Sequence, residues 1–379
     1  MVKLSLMNPK NCTSTHAFLE LVRAGLWERE ARLLQYNDIC YSAIMLLAEE
    51  QSIVGLVAAG LEHVVDTSYP KENVLQFVGQ ALQLEQRNLA MNQFIAMLIE
   101  KMRTAGIYTL LLKGQGGAQC YERPLWRACG DVDLFLSDDN YDKAKKFLTS
   151  LATCVQGEYV REKHLGMTID SWEVELHGRL YCGLSSQIEK ELDRVYQDAF
   201  LCGNVRSWNI DNVQVFLLSP ENDAFYVFTH ILQHFYKEGV GLRQVCDWCR
   251  LLWAYKDSLD RGLLELRIRR AGLMSEWKSF GAFAVELLGM PAEAMPFYSD
   301  CNCWKRKAKR ISNFILNVGN MGHNRESNYR NYRYLWRKSF SAFRRMGDLF
   351  DHTMIFPLDT LRFAPYIIFN GVRSAIRGE

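Results

Sequence analysis

Residues 110–136 read LLLKGQGGAQCYERPLWRACGDVDLFL. A short apolar run meets a lysine and a cluster of glycines, and a second run then alternates acidic and apolar residues. Residues two apart on a strand project to the same side, so Asp131 and Asp133 share one face while Val132 and Leu134 share the other. Carboxylates side by side repel, and burying them costs more still. The pattern therefore predicts a cation between them. Mg2+ takes oxygen ligands and is commonly held by one or two carboxylates together with substrate phosphates. Glycines at a strand-to-helix turn let backbone N–H groups approach a phosphate, and Lys113 and Arg127 would add positive charge. Neither GxxxxGK[ST] nor GxGxxG occurs in this stretch, because position 119 is glutamine.

Outward from this stretch the hydrophobic period changes twice. Upstream, Leu84, Met91, Ile95, Leu98 and Met102 form one helical stripe, which Gly106 ends. Downstream, Ser137 and Asp138 begin a helix through NYDKAKKFLTSL. SWEVELHGRL then alternates again, with Trp172, Val174 and Leu176 on one face and Glu173, Glu175 and His177 on the other. WNIDNVQVFLL reads as a hairpin turning at Asp211 and Asn212, and Ser219–Pro220 opens a helix. The expected fold class is α+β: a small mixed-sheet core at 106–205, an N-terminal helical region at 1–105 and a mostly helical region at 206–379.

The 379 residues carry a formal charge of +2 and are 49% hydrophobic, which predicts a folded chain with no overall pull toward nucleic acid or membrane. No run approaches the roughly 20 apolar residues of a bilayer span. The start is broken by Asn8, Pro9 and Lys10 before a secretory apolar region develops, so the expectation is a cytoplasmic protein without a membrane partner. Eleven cysteines, odd in number and scattered, read as reduced thiols; Cys246 and Cys249 fall three apart on a helical face.

The order LLLKG, Y-x-x-P-x-x-R, GDVDLF and VELH resembles the bacterial family of uncharacterised nucleotidyltransferases, within the DNA polymerase β-like superfamily. The resemblance covers roughly residues 105–290, including HILQHFYKEGVGLRQVCDW. It implies transfer of a nucleoside monophosphate from an NTP to an acceptor hydroxyl, with pyrophosphate leaving. By the same resemblance Gly114 matches the phosphate-turn glycine, Asp131 and Asp133 the metal-binding aspartates, and Glu175 the third acidic residue. Glu173 faces the same side as Glu175, and only the VELH context favours the latter.

The implied metal is Mg2+ or Mn2+, and the nucleotide-binding set is Lys113, Gly114, Gln115 and Arg127. Gln115 stands where the superfamily usually has serine or a second glycine. An alternative is therefore a nucleotide- or RNA-binding protein that keeps the fold without turnover. His177 has two readings: a proton shuttle or carboxylate-orienting group, or a structural hydrogen bond at a strand end. The acceptor is left open among a small molecule, a protein and an RNA.

Two features lie outside this constellation. His230 and His234, four apart in HILQH, lack the glutamate of a zinc protease and are expected in a structural or substrate-lining role, with Arg243 and Asp247 as further pocket candidates. Segment 304–345 holds twelve lysines and arginines against one acid, interleaved with Tyr329, Tyr332, Tyr334 and Trp336. It reads either as an RNA-binding surface or as a solvated helical face.

Overall fold

The computed structural model of the chain describes residues 9–67, 70–320 and 347–377. Helices α1 (Pro9–Trp27), α2 (Tyr41–Glu50) and α3 (Val54–Glu62) lead into the long α4 (Lys71–Thr104). At Gly25 and Gly60, α1 and α3 cross so closely that a Cβ on either would stand 2.0 Å from a carbonyl oxygen of the opposite helix. Along α4 the predicted stripe holds: Met91, Ile95, Leu98 and Met102 are buried, and Leu84 is half-buried. Asn88 lies on the same side and is fully buried, with all its amide groups used. It donates to the carbonyls of Leu125 and Arg127 at 2.7 and 2.8 Å and accepts from Gln115 Nε2 at 2.7 Å. One buried amide thus ties α4 to both ends of the segment that follows the glycine turn.

Strands β1 (Leu110–Leu112), β2 (Asp131–Phe135), β3 (Cys154–Val155), β4 (His164–Ile169), β5 (Trp172–His177), β6 (Val205–Ile210) and β7 (Val213–Leu218) form one mixed sheet, in the order β3-β4-β5-β2-β1-β7-β6. The pairs β2–β5 and β1–β7 are parallel; the others are antiparallel. The β6–β7 hairpin turns at Asp211 and Asn212 and extends the sheet past residue 205. Short α5 (Gly114–Ala118) and α6 (Asp138–Thr149) sit between strands, and α7 (Ser186–Phe200) precedes the hairpin.

The period-two alternation divides the sheet between two cores. Leu111, Val132, Leu134, Val174 and Leu176 join α4 and α6 on one face, whereas Leu110, Leu112 and Phe135 face the helical mass on the other. Asp131, Asp133, Glu175 and His177 share the parity of Phe135. They therefore belong to the face on which the helices pack, spread along the paired length of β2 and β5.

That cover consists of α8 (Pro220–Lys237), α9 (Leu242–Ala254), α10 (Arg261–Ala271), α11 (Met274–Glu286) and α12 (Asn302–Val318). Phe225, Phe228 and Phe235 of α8 are buried among Trp248, Trp277 and Phe280. Cys246 and Cys249 are buried on α9. N-terminal and C-terminal helices share this core and exchange polar ties. Gln51 donates to the Ile315 carbonyl and accepts from the Leu242 N–H, and Trp27 Nε1 donates to the Leu288 carbonyl. Among the described residues, no helix is long and apolar enough to cross a membrane. Of the basic segment, α12 carries 304–318; residues 321–345, with Tyr329, Tyr332, Tyr334 and Trp336, lie outside the described residues.

The C-terminal helix Pro357–Arg377 docks through Arg362, which donates to the carbonyls of Gly272 and Ala271 at 3.1 and 2.6 Å, where α10 leaves its last carbonyls unpaired. Beside it Glu276 is fully buried. Burial, reinforced by the charge of Asp359, pushes its carboxyl up to about 8. The unfolded chain releases this proton near the ordinary carboxylate value, so the native state holds one more proton than the unfolded state between about pH 5 and 8, and stability falls as pH rises through that window. Glu276→Gln is expected to remove this contribution: unfolding free energy measured against urea should lose a slope of up to about 1.4 kcal/mol per pH unit across the window. An unchanged pH profile would show that Glu276 ionises freely.

Candidate active site

The antiparallel pairing of β1 and β2 sets Leu112 opposite Asp133, so the next residue, Lys113, emerges beside the acidic end of β2. Its Nζ lies 3.3 Å from Asp133 Oδ1. The chain turns sharply here: Lys113 and Gly114 both have φ of +46°, and at Lys113 this conformation is rare for a residue with a Cβ. A Cβ on Gly114 would also meet Cys129 Sγ at 3.2 Å.

On the other side of β2, parallel β5 sets Glu173 opposite Asp131 and Glu175 opposite Asp133. The register sets each glutamate beside an aspartate, and the side chains then part. Glu175 joins Asp131 and Asp133, with an oxygen from each within 4.8 Å of the others, whereas Glu173 is exposed and accepts from Thr168 Oγ1. Three carboxylates brought this close are positioned to hold a metal ion.

The charges of this rim are interlocked. Asp133 is 2% exposed. Burial opposes its ionisation, yet Lys113 and His177 together hold its carboxyl below the usual range. Burial likewise opposes the Lys113 ammonium, but Asp133, followed by Tyr226, Asp131 and Glu175, raises it above its ordinary value. His177 Nε2 is 2.8 Å from Asp133 Oδ1 and 3.5 Å from Glu175 Oε2, and these bonds outweigh burial and raise the imidazole. Hydrogen bonds from His164 and His177 hold Glu175 well below the carboxylate range. Asp131 goes the other way: the neighbouring charge of Asp133, and then burial, raise it. It is the acidic group of the rim left least compensated.

A cleft of about 590 Å³ opens over this rim, walled by α8 and α9. His230 and His234 both line it, and their Nε2 atoms are 3.2 Å apart. Burial, with Lys113 and His234 adding to it, depresses His230 well below its ordinary value, so the ring stays neutral and accepts from Lys113 Nζ at 3.3 Å. Arg127 and Asp247 meet in the wall as a two-pronged pair at 3.0 and 2.6 Å, joined by Tyr121 Oη donating to the same carboxylate. Arg243 donates to the Ala128 carbonyl. Gln115, expected at the nucleotide, turns away: its side chain is buried against Asn88, leaving only the backbone of that position near the turn.

The profile of the uncharacterised nucleotidyltransferase family matches residues 37–289. This chain belongs to that family. The matched span runs from the N-terminal helices through the sheet to the end of α11, and includes the three carboxylates, Lys113 and the cleft wall. Membership in a nucleotidyltransferase family gives the general kind of activity, nucleotidyl transfer. No curated protein and no solved structure matches the chain.

Two site residues escape a reading of the sequence. His164 pairs across the sheet with His177, a register fixed by the tight β4–β5 turn after Ile169; counting back from that turn would have placed it. Tyr226, four residues before His230 on α8, lines the cleft and lies under Lys113 Nζ, 5.9 Å from its ring centre. Asp133→Asn is expected to drop the His177 imidazole titration by at least about one pH unit, since burial is then opposed only by Glu175. An NMR titration of the His177 ring checks this; an unmoved midpoint would mean that Asp133 does not set it.

Proposed function

We propose that the protein transfers a nucleoside monophosphate from an NTP to an acceptor hydroxyl, using Mg2+ or Mn2+ held by Asp131, Asp133 and Glu175. The observation that carries this reading is the convergence of three carboxylates and Lys113 in the lining of one cleft, in a chain of a nucleotidyltransferase family. A divalent cation bound there would offset charge on the carboxylates and the polyphosphate together.

The chain's own groups divide the remaining work. Lys113 holds Asp133 through one ammonium contact, which a cation at the carboxylates would replace, freeing the ammonium for phosphate oxygens. Lys113, Gly114 and Gly117 line the cleft, where backbone N–H groups of the turn would meet the same phosphates. His177 donates from Nε2 to Asp133 and so orients that carboxylate; this favours the orienting role over the shuttle. In the transfer, the acceptor oxygen bonds to the α-phosphorus, the bond to the β-phosphate oxygen breaks, pyrophosphate leaves, and the hydroxyl proton passes to a carboxylate of the rim.

Incubation of the full chain with each labelled NTP, Mg2+ or Mn2+ and a cell extract tests the reading. Label transfer with pyrophosphate release is expected, and Asp131→Ala with Asp133→Ala should lower it by at least about a hundredfold. Transfer that survives both substitutions would dismiss the site. The binding-only alternative draws on the inward turn of Gln115, and predicts metal-dependent NTP affinity with no pyrophosphate released from any acceptor.

A further inference from the structure

We infer that His164, Glu175 and His177 form a second cation site, chemically unlike the carboxylate rim: a nitrogen-rich site for a divalent transition metal of the zinc type, with Glu175 shared between the two. This deepens the proposed reaction and rests on that reading only for its consequence, that the two ions differ.

The backbone brings the donors together. His164 and His177 are opposite one another on antiparallel β4 and β5, and Glu175 projects from the same face of β5 two residues earlier. His164 Nε2 is 3.1 Å from Glu175 Oε2 and His177 Nε2 is 3.5 Å from that same oxygen; all three donors lie within 4.8 Å of one another. Two ligands at about 2.1 Å from one tetrahedral ion stand roughly 3.4 Å apart, so the two nitrogen–oxygen distances already have the spacing of ligand edges.

Donor chemistry separates this group from its neighbour. Asp131, Asp133 and Glu175 present oxygens only, which suits Mg2+ or Mn2+; two imidazoles and one carboxylate suit zinc and its neighbours, whose affinity for nitrogen ligands is much greater. His177 Nε2 faces carboxylate oxygens of both Asp133 and Glu175, and its single hydrogen cannot serve both well. An ion ligated by both imidazoles would meet Glu175 Oε2 directly and would take the place of the Nε2 hydrogen of His177, so the His177–Asp133 hydrogen bond belongs to the metal-free state. Tyr159 stacks on the His164 ring, with centroids 5.8 Å apart, and limits its rotation.

The full chain, without a histidine tag, is titrated with Zn2+ against a chromophoric competitor in millimolar Mg2+, and separately loaded with Co2+ for its visible spectrum. Stoichiometric Zn2+ binding that Mg2+ does not displace is expected, weakened at least about tenfold by His164→Ala and by the gentler His164→Gln, with a Co2+ band in the unsubstituted protein that shifts in both. Affinity indifferent to His164, or lost instead on His230→Ala, would overturn the inference, as would displacement by Mg2+. Binding of a nonhydrolysable NTP in Mg2+ is followed in parallel. NTP binding without His164-dependent Zn2+ would sink this inference and leave the transferase reading standing; His164-dependent Zn2+ without NTP binding would do the reverse.

Discussion

The contact on which the rest depends is that of Asp133 with Lys113. A carboxylate 2% exposed, flanked by two further carboxylates, is tolerable only if positive charge reaches it, and Lys113 Nζ at 3.3 Å and His177 Nε2 at 2.8 Å supply it. Removing one partner would leave buried charge uncompensated. The antiparallel β1–β2 register makes this contact, and it explains why Lys113 keeps a φ of +46°, a conformation that costs a residue with a Cβ on the order of 1 to 3 kcal/mol. The strain delivers the ammonium to the buried carboxylate of the rim.

How much of this could be read from the chain follows from the range of each interaction. Period-two alternation is local, so DVDLFL and WEVELH placed Asp131, Asp133, Glu175 and His177 on one face before any strand was paired. Sheet register is not local. That Glu175 comes near both Asp131 and Asp133 follows from β2–β5 pairing across some forty residues of chain. The family context pointed to the same glutamate by a different route.

Gln115 and His164 show the opposite limit. Glutamine in a glycine turn reads as a phosphate contact, but its direction is decided by Asn88, a buried amide on a helix more than twenty residues upstream that needs a donor for its oxygen. Nothing around position 88 marks it as more than an interruption of an apolar stripe. His164 begins its strand in an ordinary polar context, and acquires meaning only from the residue across from it. Satisfying buried polar groups is a global requirement, and short motifs do not report it.

The cations of the cleft also differ in kind, and the difference follows from side-chain chemistry. Arg127 meets Asp247 through two parallel N–H···O bonds, with Tyr121 on the same carboxylate; a planar fork matched to a carboxylate fixes both partners and leaves little reason to exchange. Lys113 is a point charge on a flexible stem with acceptors on several sides: Asp133, His230 and the face of Tyr226. Its contact with Asp133 is single, and its alternatives are close at hand. A cleft built this way has one cation fixed by a two-pronged pair, Arg127, and one held by a single contact with other acceptors near, Lys113. Replacing Lys113 by arginine would keep the charge and lose that freedom to exchange, because the fork would lock onto the carboxylate it now only touches.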